Sequence, residues 1–97
     1  MALNLDAFVT DIVFDRGGAV FALGDGAVTW PDGARVAAHD GAILCAATHP
    51  AGDGVVTGGD DGRLVWSRRD GANELASRAG RWIDALAASP ASGLIAF

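Results

Sequence analysis

VVTGGDDGRLVW, residues 55–66, is the stretch that decides the fold of this chain. Residues 55–57 are β-branched and favour an extended strand. Asp61 and Gly62 follow as a tight-turn dipeptide, because both residue types tolerate the backbone angles of a short hairpin loop. The apolar run 64–66 then suits a half-buried return strand. The stretch therefore predicts a β-hairpin.

The composition is that of a folded chain. Of the 97 residues, 51% are hydrophobic, which is enough to build a core. The formal net charge is −5 and every basic residue is arginine, so no cationic stripe is present for nucleic acid or anionic lipid. Cys45 is the only cysteine, which excludes an internal disulfide and a thiolate metal cluster. No cofactor is expected.

The N-terminal residues 1–14 do not resemble a secretory signal, because they lack a basic start and two aspartates interrupt the apolar run. No other apolar run approaches the ~20 residues that a membrane-spanning helix needs. We therefore expect a soluble, cytoplasmic protein with no membrane or nucleic-acid partner.

Turn signals recur along the chain. Asp-Gly occurs at 25–26, 32–33, 40–41, 53–54, 61–62 and 70–71. These dipeptides divide the segment between them into pieces of strand length, which is typical of an antiparallel meander with tight hairpins.

The chain also repeats itself. FALGDGAVTW (21–30) matches TGGDDGRLVW (57–66) at an offset of 36 residues, and AILCAATHP (42–50) matches WIDALAASP (82–90) at an offset of 40. The same unit thus occurs about two and a half times, over residues 7–37, 38–78 and a truncated 79–97. Strands are predicted at 8–14, 19–23, 27–30 and 34–37, at 42–48, 54–58, 63–67 and 73–77, and at 81–88 and 93–97. Because the last unit is incomplete, a fragment of a longer chain is expected.

Residues 73–89 have a second interpretation. Apolar side chains recur there at helical spacing, and Asn73 with Glu74 suits a helix start, which gives an α+β alternative. Gly80 and the match of 82–90 to the strand at 42–50 favour a strand instead.

These features together resemble a WD40 repeat, the blade unit of a β-propeller. The family places a His before the first strand, a Ser or Thr on the second, an Asp in the hairpin turn and a Trp on the third, and these correspond here to His39, Thr57, Asp61 and Trp66. The interval from Asp-Gly to Trp is one residue shorter than in the family pattern. The resemblance implies an all-β partial propeller of four-stranded antiparallel blades, with the four residues forming a buried structural relay.

The resemblance further implies a non-enzymatic scaffold that binds a protein or peptide partner, with self-association through open blade faces. The alternative is an enzymatic, hydrolase-like propeller with a central-channel site, for which Asp11 and Asp84 are the candidates. His39 with Asp61 has the composition of a general-base dyad, but no motif places a nucleophile beside it. The turn at Arg68 and Arg69 could be an exposed contact for an acidic partner, but it is interpreted as a solvated turn.

Overall fold

The computed structural model describes residues 8–16, 18–51, 53–78, 83, 87–89 and 94–97. Within these residues every regular element is a β-strand, so the prediction of an all-β fold is confirmed. The strands are β1 (Val9–Asp15), β2 (Gly18–Leu23), β3 (Ala27–Thr29), β4 (Arg35–Ala37), β5 (Ile43–Thr48), β6 (Val55–Gly59), β7 (Arg63–Arg68), β8 (Gly71–Ser77), β9 (Ala87–Ser89) and β10 (Leu94–Ala96).

The strands form two four-stranded antiparallel sheets and one strand pair. The first sheet has the order β1-β2-β3-β4, the second has the order β5-β6-β7-β8, and β9 pairs with β10. Each strand in the larger sheets therefore lies beside its neighbour in sequence, as the spacing of the Asp-Gly dipeptides predicts. The described residues close no ring of sheets.

The helical alternative for residues 73–89 is wrong where the structure describes the chain. Residues 73–77 lie in β8, which pairs antiparallel with β7 and satisfies its backbone groups across the sheet, and residues 87–89 form β9. Residues 79–82 and 84–86 lie outside the described residues, and with them lies most of the strand predicted at 81–88. The final predicted strand appears as β10.

The two central hairpins turn through the same local chemistry. Gly26 and Gly62 adopt φ angles of 92° and 76°, which side chains with a Cβ rarely do. In each turn the preceding aspartate accepts the N–H two residues further on, from Ala27 and from Arg63, at 3.1 Å in both cases. The repeat seen in the sequence is thus a repeat of turn geometry.

The second sheet is covered on both faces. Val55 and Val65 project towards the first sheet and pack in one apolar cluster with its side chains, which include Val20, Val28 and Trp30. Val56 and Leu64, one position along each strand and so on the opposite face, pack with Ile83.

The outer face of the first sheet is exposed along its edge strand β1, although Leu23 and Thr29 on the same face are buried. Val13 of β1 packs against the cluster between the sheets, whereas its neighbours Ile12 and Phe14 are 52% and 66% exposed. These two side chains project from the outer face of the sheet, where apolar surface is left in contact with water. No helix among the described residues has the length and apolar character needed to cross a membrane.

Candidate functional site

Three of the four residues assigned to the relay meet at one end of the second sheet. His39 Nδ1 lies 2.9 Å from Asp61 Oδ1, and His39 Nε2 lies 2.7 Å from Thr57 Oγ1. The imidazole has no exposed surface, and the carboxylate is 11% exposed. The arrangement is a buried polar trio, and we use that name for it below.

Each member of the buried polar trio is positioned by a different element. Thr57 is in the middle of β6, and Asp61 is in the turn between β6 and β7. His39 precedes β5, and its backbone N–H donates to the carbonyl of Gly26 at 3.0 Å. Since Gly26 belongs to the central turn of the first sheet, the imidazole is anchored to both sheets.

The hydrogen bonds fix the roles of the two imidazole nitrogens. A carboxylate can only accept, so His39 Nδ1 carries the hydrogen donated to Asp61. With a neutral ring, Nε2 then accepts from the Thr57 hydroxyl. The hydroxyl has one hydrogen, and its other contact, the Val65 carbonyl at 3.5 Å, is the longer of the two. Donor and acceptor are therefore matched along the whole chain of contacts.

Hydrogen bonding also sets the ionisation of Asp61. Burial on its own raises the pKa of this carboxyl group, but the bond from His39 and those from the backbone N–H groups of Arg63 and Asp40 together outweigh it. The pKa of Asp61 consequently lies below its ordinary value of 3.8. The group stays an anion at neutral pH and can accept all three donors.

Gly59 makes room for the trio. A Cβ atom at this position would lie 2.5 Å from Nδ1 of His39 and 2.8 Å from Oδ1 of Asp61. Any side chain there would push the imidazole and the carboxylate apart. The second glycine of VVTGGDDG thus has a steric role that its position in a strand did not reveal.

Trp66, the fourth residue assigned to the relay, lies elsewhere. β6 and β7 pair Thr57 with Val65, so Trp66 falls one position further and projects from the opposite face of the sheet. Its indole N–H donates to the carbonyl of Asp53 at 2.8 Å. The shortened interval between Asp-Gly and Trp has this physical consequence, because a shift of one residue in a strand exchanges the faces.

The indole of Trp66 takes part in a second cluster. The His49 ring stacks on it at a centroid distance of 3.8 Å, and the Arg68 guanidinium lies 4.3 Å from its centre. The backbone N–H of Ala51 donates to His49 Nδ1 at 3.0 Å. Burial and then the charge of Arg68 lower the pKa of His49 from its ordinary 6.5, against a smaller opposing effect of Asp53.

The remaining candidates from the sequence are dispersed. Asp11 is in β1, where its carboxylate accepts the N–H of Ile12, and Asp84 lies outside the described residues. Cys45 is half-buried and its thiol donates to the carbonyl of Ile83 at 3.3 Å. Among the described residues, no three His, Cys, Asp or Glu side chains are grouped to hold a metal ion.

A charged cleft at the opposite end of the second sheet was not anticipated. It has a volume of about 310 Å³ and is lined by Asp15, Arg16, Asp53, Arg68, Arg69 and Asp70. These residues come from the end of β1 and the turn after it, the loop before β6, and the end of β7 with the turn that leads to β8. The run Arg68-Arg69-Asp70 was its only signal in the sequence, since the other residues reach the cleft through tertiary structure. We call this site the inter-sheet cleft.

Comparisons of the chain with protein-family models, with curated proteins and with solved structures found no match.

Proposed function

We propose that this chain is part of a WD40-like β-propeller that acts as a non-enzymatic, cytoplasmic scaffold for a protein or peptide partner. The observation that carries the proposal is the packing of two successive four-stranded meanders of identical strand order, face against face. Propellers are built from such units, which bury their faces against one another and present their loops to partners.

The buried polar trio supports a structural role over a catalytic one. A general base has to reach a proton on its substrate, within hydrogen-bond distance or through one water. The His39 ring has no exposed surface, and both of its nitrogens are occupied by Asp61 and Thr57. In this proposal the trio fixes the path of the chain between the two sheets and takes no part in chemistry.

Selection from a random peptide library on the immobilised chain tests the scaffold function. Fluorescence anisotropy then gives a Kd for each selected peptide, and a scrambled version of the same peptide is the control. We expect saturable binding that scrambling abolishes. Peptides that bind no better than their scrambled versions, combined with turnover in a hydrolase panel, would favour the enzymatic alternative and contradict the proposal.

Self-association through the exposed part of the outer face of the first sheet, at β1, is part of the proposal. Ile12 and Phe14 project from that face, and a neighbouring blade would bury them. Light scattering after size exclusion should show a concentration-dependent mass that falls when both residues are changed to threonine. An unchanged mass in this variant, with an unchanged circular dichroism spectrum, would place the contact elsewhere.

A further inference from the structure

The inter-sheet cleft lies over the seam between the two sheets, and its walls are held together across that seam. Arg16 of the first sheet donates to the carbonyl of Ala51 at 2.7 Å. In the opposite direction, Arg69 of the second sheet pairs with Asp32 of the first. The cleft is thus formed by the packing of the two sheets, and its shape depends on both of them.

The acidic side of one wall is already engaged. Asp15 Oδ2 accepts the indole N–H of Trp30 at 3.4 Å and the backbone N–H of Gly54 at 3.3 Å. Its negative charge is therefore used to hold the turn after β1 against the loop before β6. Asp53 lines the cleft from that loop.

Arg68 is the cation in the cleft with capacity to spare. Its Nε atom is buried and makes no hydrogen bond, and the nearest carboxylate oxygen, on Asp70, lies 4.0 Å away. Asp70 is 85% exposed and well hydrated, so it is a poor permanent partner. Packing against Trp66 holds the guanidinium in place, and its Nη2 donates to the side-chain oxygen of Asn73 at 3.2 Å. The remaining donors of the fork are pre-organised for a further acceptor.

The signs of the lining charges define the ligand. Three arginines and three aspartates line one small cavity, so neither a polyanion nor a polycation gains from the whole surface. A ligand with one negative and one positive group next to each other can pair with an arginine and an aspartate of the cleft at the same time. The volume is at the lower end of ligand pockets and accommodates about two side chains.

We propose that the inter-sheet cleft binds a peptide segment in which an acidic and a basic side chain are adjacent. The carboxylate of the segment pairs with Arg68, and its cation pairs with Asp53. The inference rests on the proposed scaffold function and names the surface and partner chemistry of that function.

The test is a titration of the isotope-labelled full chain, followed by NMR, with a blocked tetrapeptide that has Glu-Arg at its centre. Peptides with Glu-Glu, Arg-Arg or Gln-Gln at the same positions are the controls. We expect saturable shifts of the amides of residues 15–16, 53–54 and 68–71, with binding about tenfold tighter for Glu-Arg than for any control. Equal binding of the four peptides, or shifts confined to other residues, would overturn the proposal.

Variants assign the contacts. Arg68→Gln and Asp53→Asn should each weaken Glu-Arg binding about tenfold. Arg35→Gln is the matched control, because this arginine pairs with Asp25 and does not line the cleft, and it should leave the Kd unchanged. If Arg68→Gln disturbs the fold through the contact with Trp66, Asp53→Asn decides. An unchanged Kd in that variant would contradict the assigned role of the cleft.

The library selection separates this inference from the scaffold function. A selected peptide whose Kd is the same in the wild type, Arg68→Gln and Asp53→Asn would preserve the scaffold and overturn the cleft. Binding of the Glu-Arg peptide in the cleft without any selected peptide would support the cleft and contradict the general scaffold function.

Discussion

The central turns of the two sheets share an Asp-Gly dipeptide and a glycine with positive φ, but they have different partners. Asp25 and Asp61 each precede a glycine and each accept the N–H two residues on. Beyond that, Asp25 pairs with Arg35 at 2.5 Å on the surface, whereas Asp61 pairs with the buried His39. The local turn is a property of the dipeptide, but its energetic weight is set by residues far away in sequence.

The two equivalent tryptophans differ in the same way. Trp30 is 2% exposed and packs between the sheets, while Trp66 is half-buried beside His49. The second sheet uses its central turn, and the first sheet uses its tryptophan, to stabilise the same seam. Substitutions at matched positions can break or sharpen this contrast.

The largest effect is expected for the tryptophans. Trp30→Ala should destabilise the chain by about 3–5 kcal/mol, because it empties a buried site between the sheets, and Trp66→Ala by about half as much. Urea unfolding followed by circular dichroism measures both. Trp30→Phe keeps much of the apolar volume and should recover most of the loss. Equal destabilisation by the two alanine variants would mean that the tryptophans have equivalent roles.

The aspartates should differ next. Asp61→Ala removes the acceptor of a buried imidazole N–H and of two backbone N–H groups, at a cost of about 2–3 kcal/mol. Asp25→Ala removes one turn hydrogen bond and an exposed ion pair, for about 1 kcal/mol. The unfolding midpoints of the two variants give the comparison. If Asp25→Ala destabilised the chain as much as Asp61→Ala, the turn hydrogen bond alone would account for the loss of stability in both variants.

A hydroxyl group in each sheet provides a finer contrast. Thr57→Val leaves His39 Nε2 buried without a partner and should cost about 2 kcal/mol. Thr29→Val removes a bond to the carbonyl of Ala34, which also accepts the N–H of Trp30, and should cost about 1 kcal/mol or less. Both sites are buried, so burial is matched. Urea unfolding midpoints of the two variants are compared. A lower midpoint for Thr29→Val than for Thr57→Val would contradict a cooperative trio.

Local features of the fold could be predicted from the sequence because they depend on neighbouring residues. Asp-Gly dipeptides favour tight turns, and the β-branched run 55–57 and the apolar run 64–66 favour paired strands. The eight strands of the two large sheets lie close to their predicted bounds for this reason. The contact between His39, Thr57 and Asp61 was predicted only through the family resemblance, because these residues approach one another only after the hairpin closes.

What the sequence could not supply was register and the placement of one sheet on the other. Trp66 appears in the same run of letters as Asp61, yet pairing of Thr57 with Val65 directs it to the opposite face. The inter-sheet cleft depends on turns from both sheets, so no spacing along the chain encodes it. Arg69 and Asp32 are 37 residues apart and pair only because the sheets pack.

The smallest expected effect is a pH dependence of the unfolding free energy. It arises in the second repeat, because both histidines belong to that repeat. Burial and Arg68 lower the pKa of His49 below 6.5 in the folded chain, so the unfolded chain binds more protons as the pH falls through that value. The stability that the neutral ring contributes is present above about pH 6.5 and is lost as the pH falls through the lower folded pKa. Protonation of Nδ1 would also break the bond from Ala51.

The slope of unfolding free energy between about pH 7 and pH 5 tests this, with His49→Asn as the variant. We expect a shallower acid-side loss in His49→Asn than in the wild type. Arg68→Gln should act in the same direction by removing a neighbouring positive charge, and Arg35→Gln in the first sheet should not. A slope that is identical in the wild type and His49→Asn would show that the loop before β6 does not sense protons, and that any pH dependence arises elsewhere in the chain.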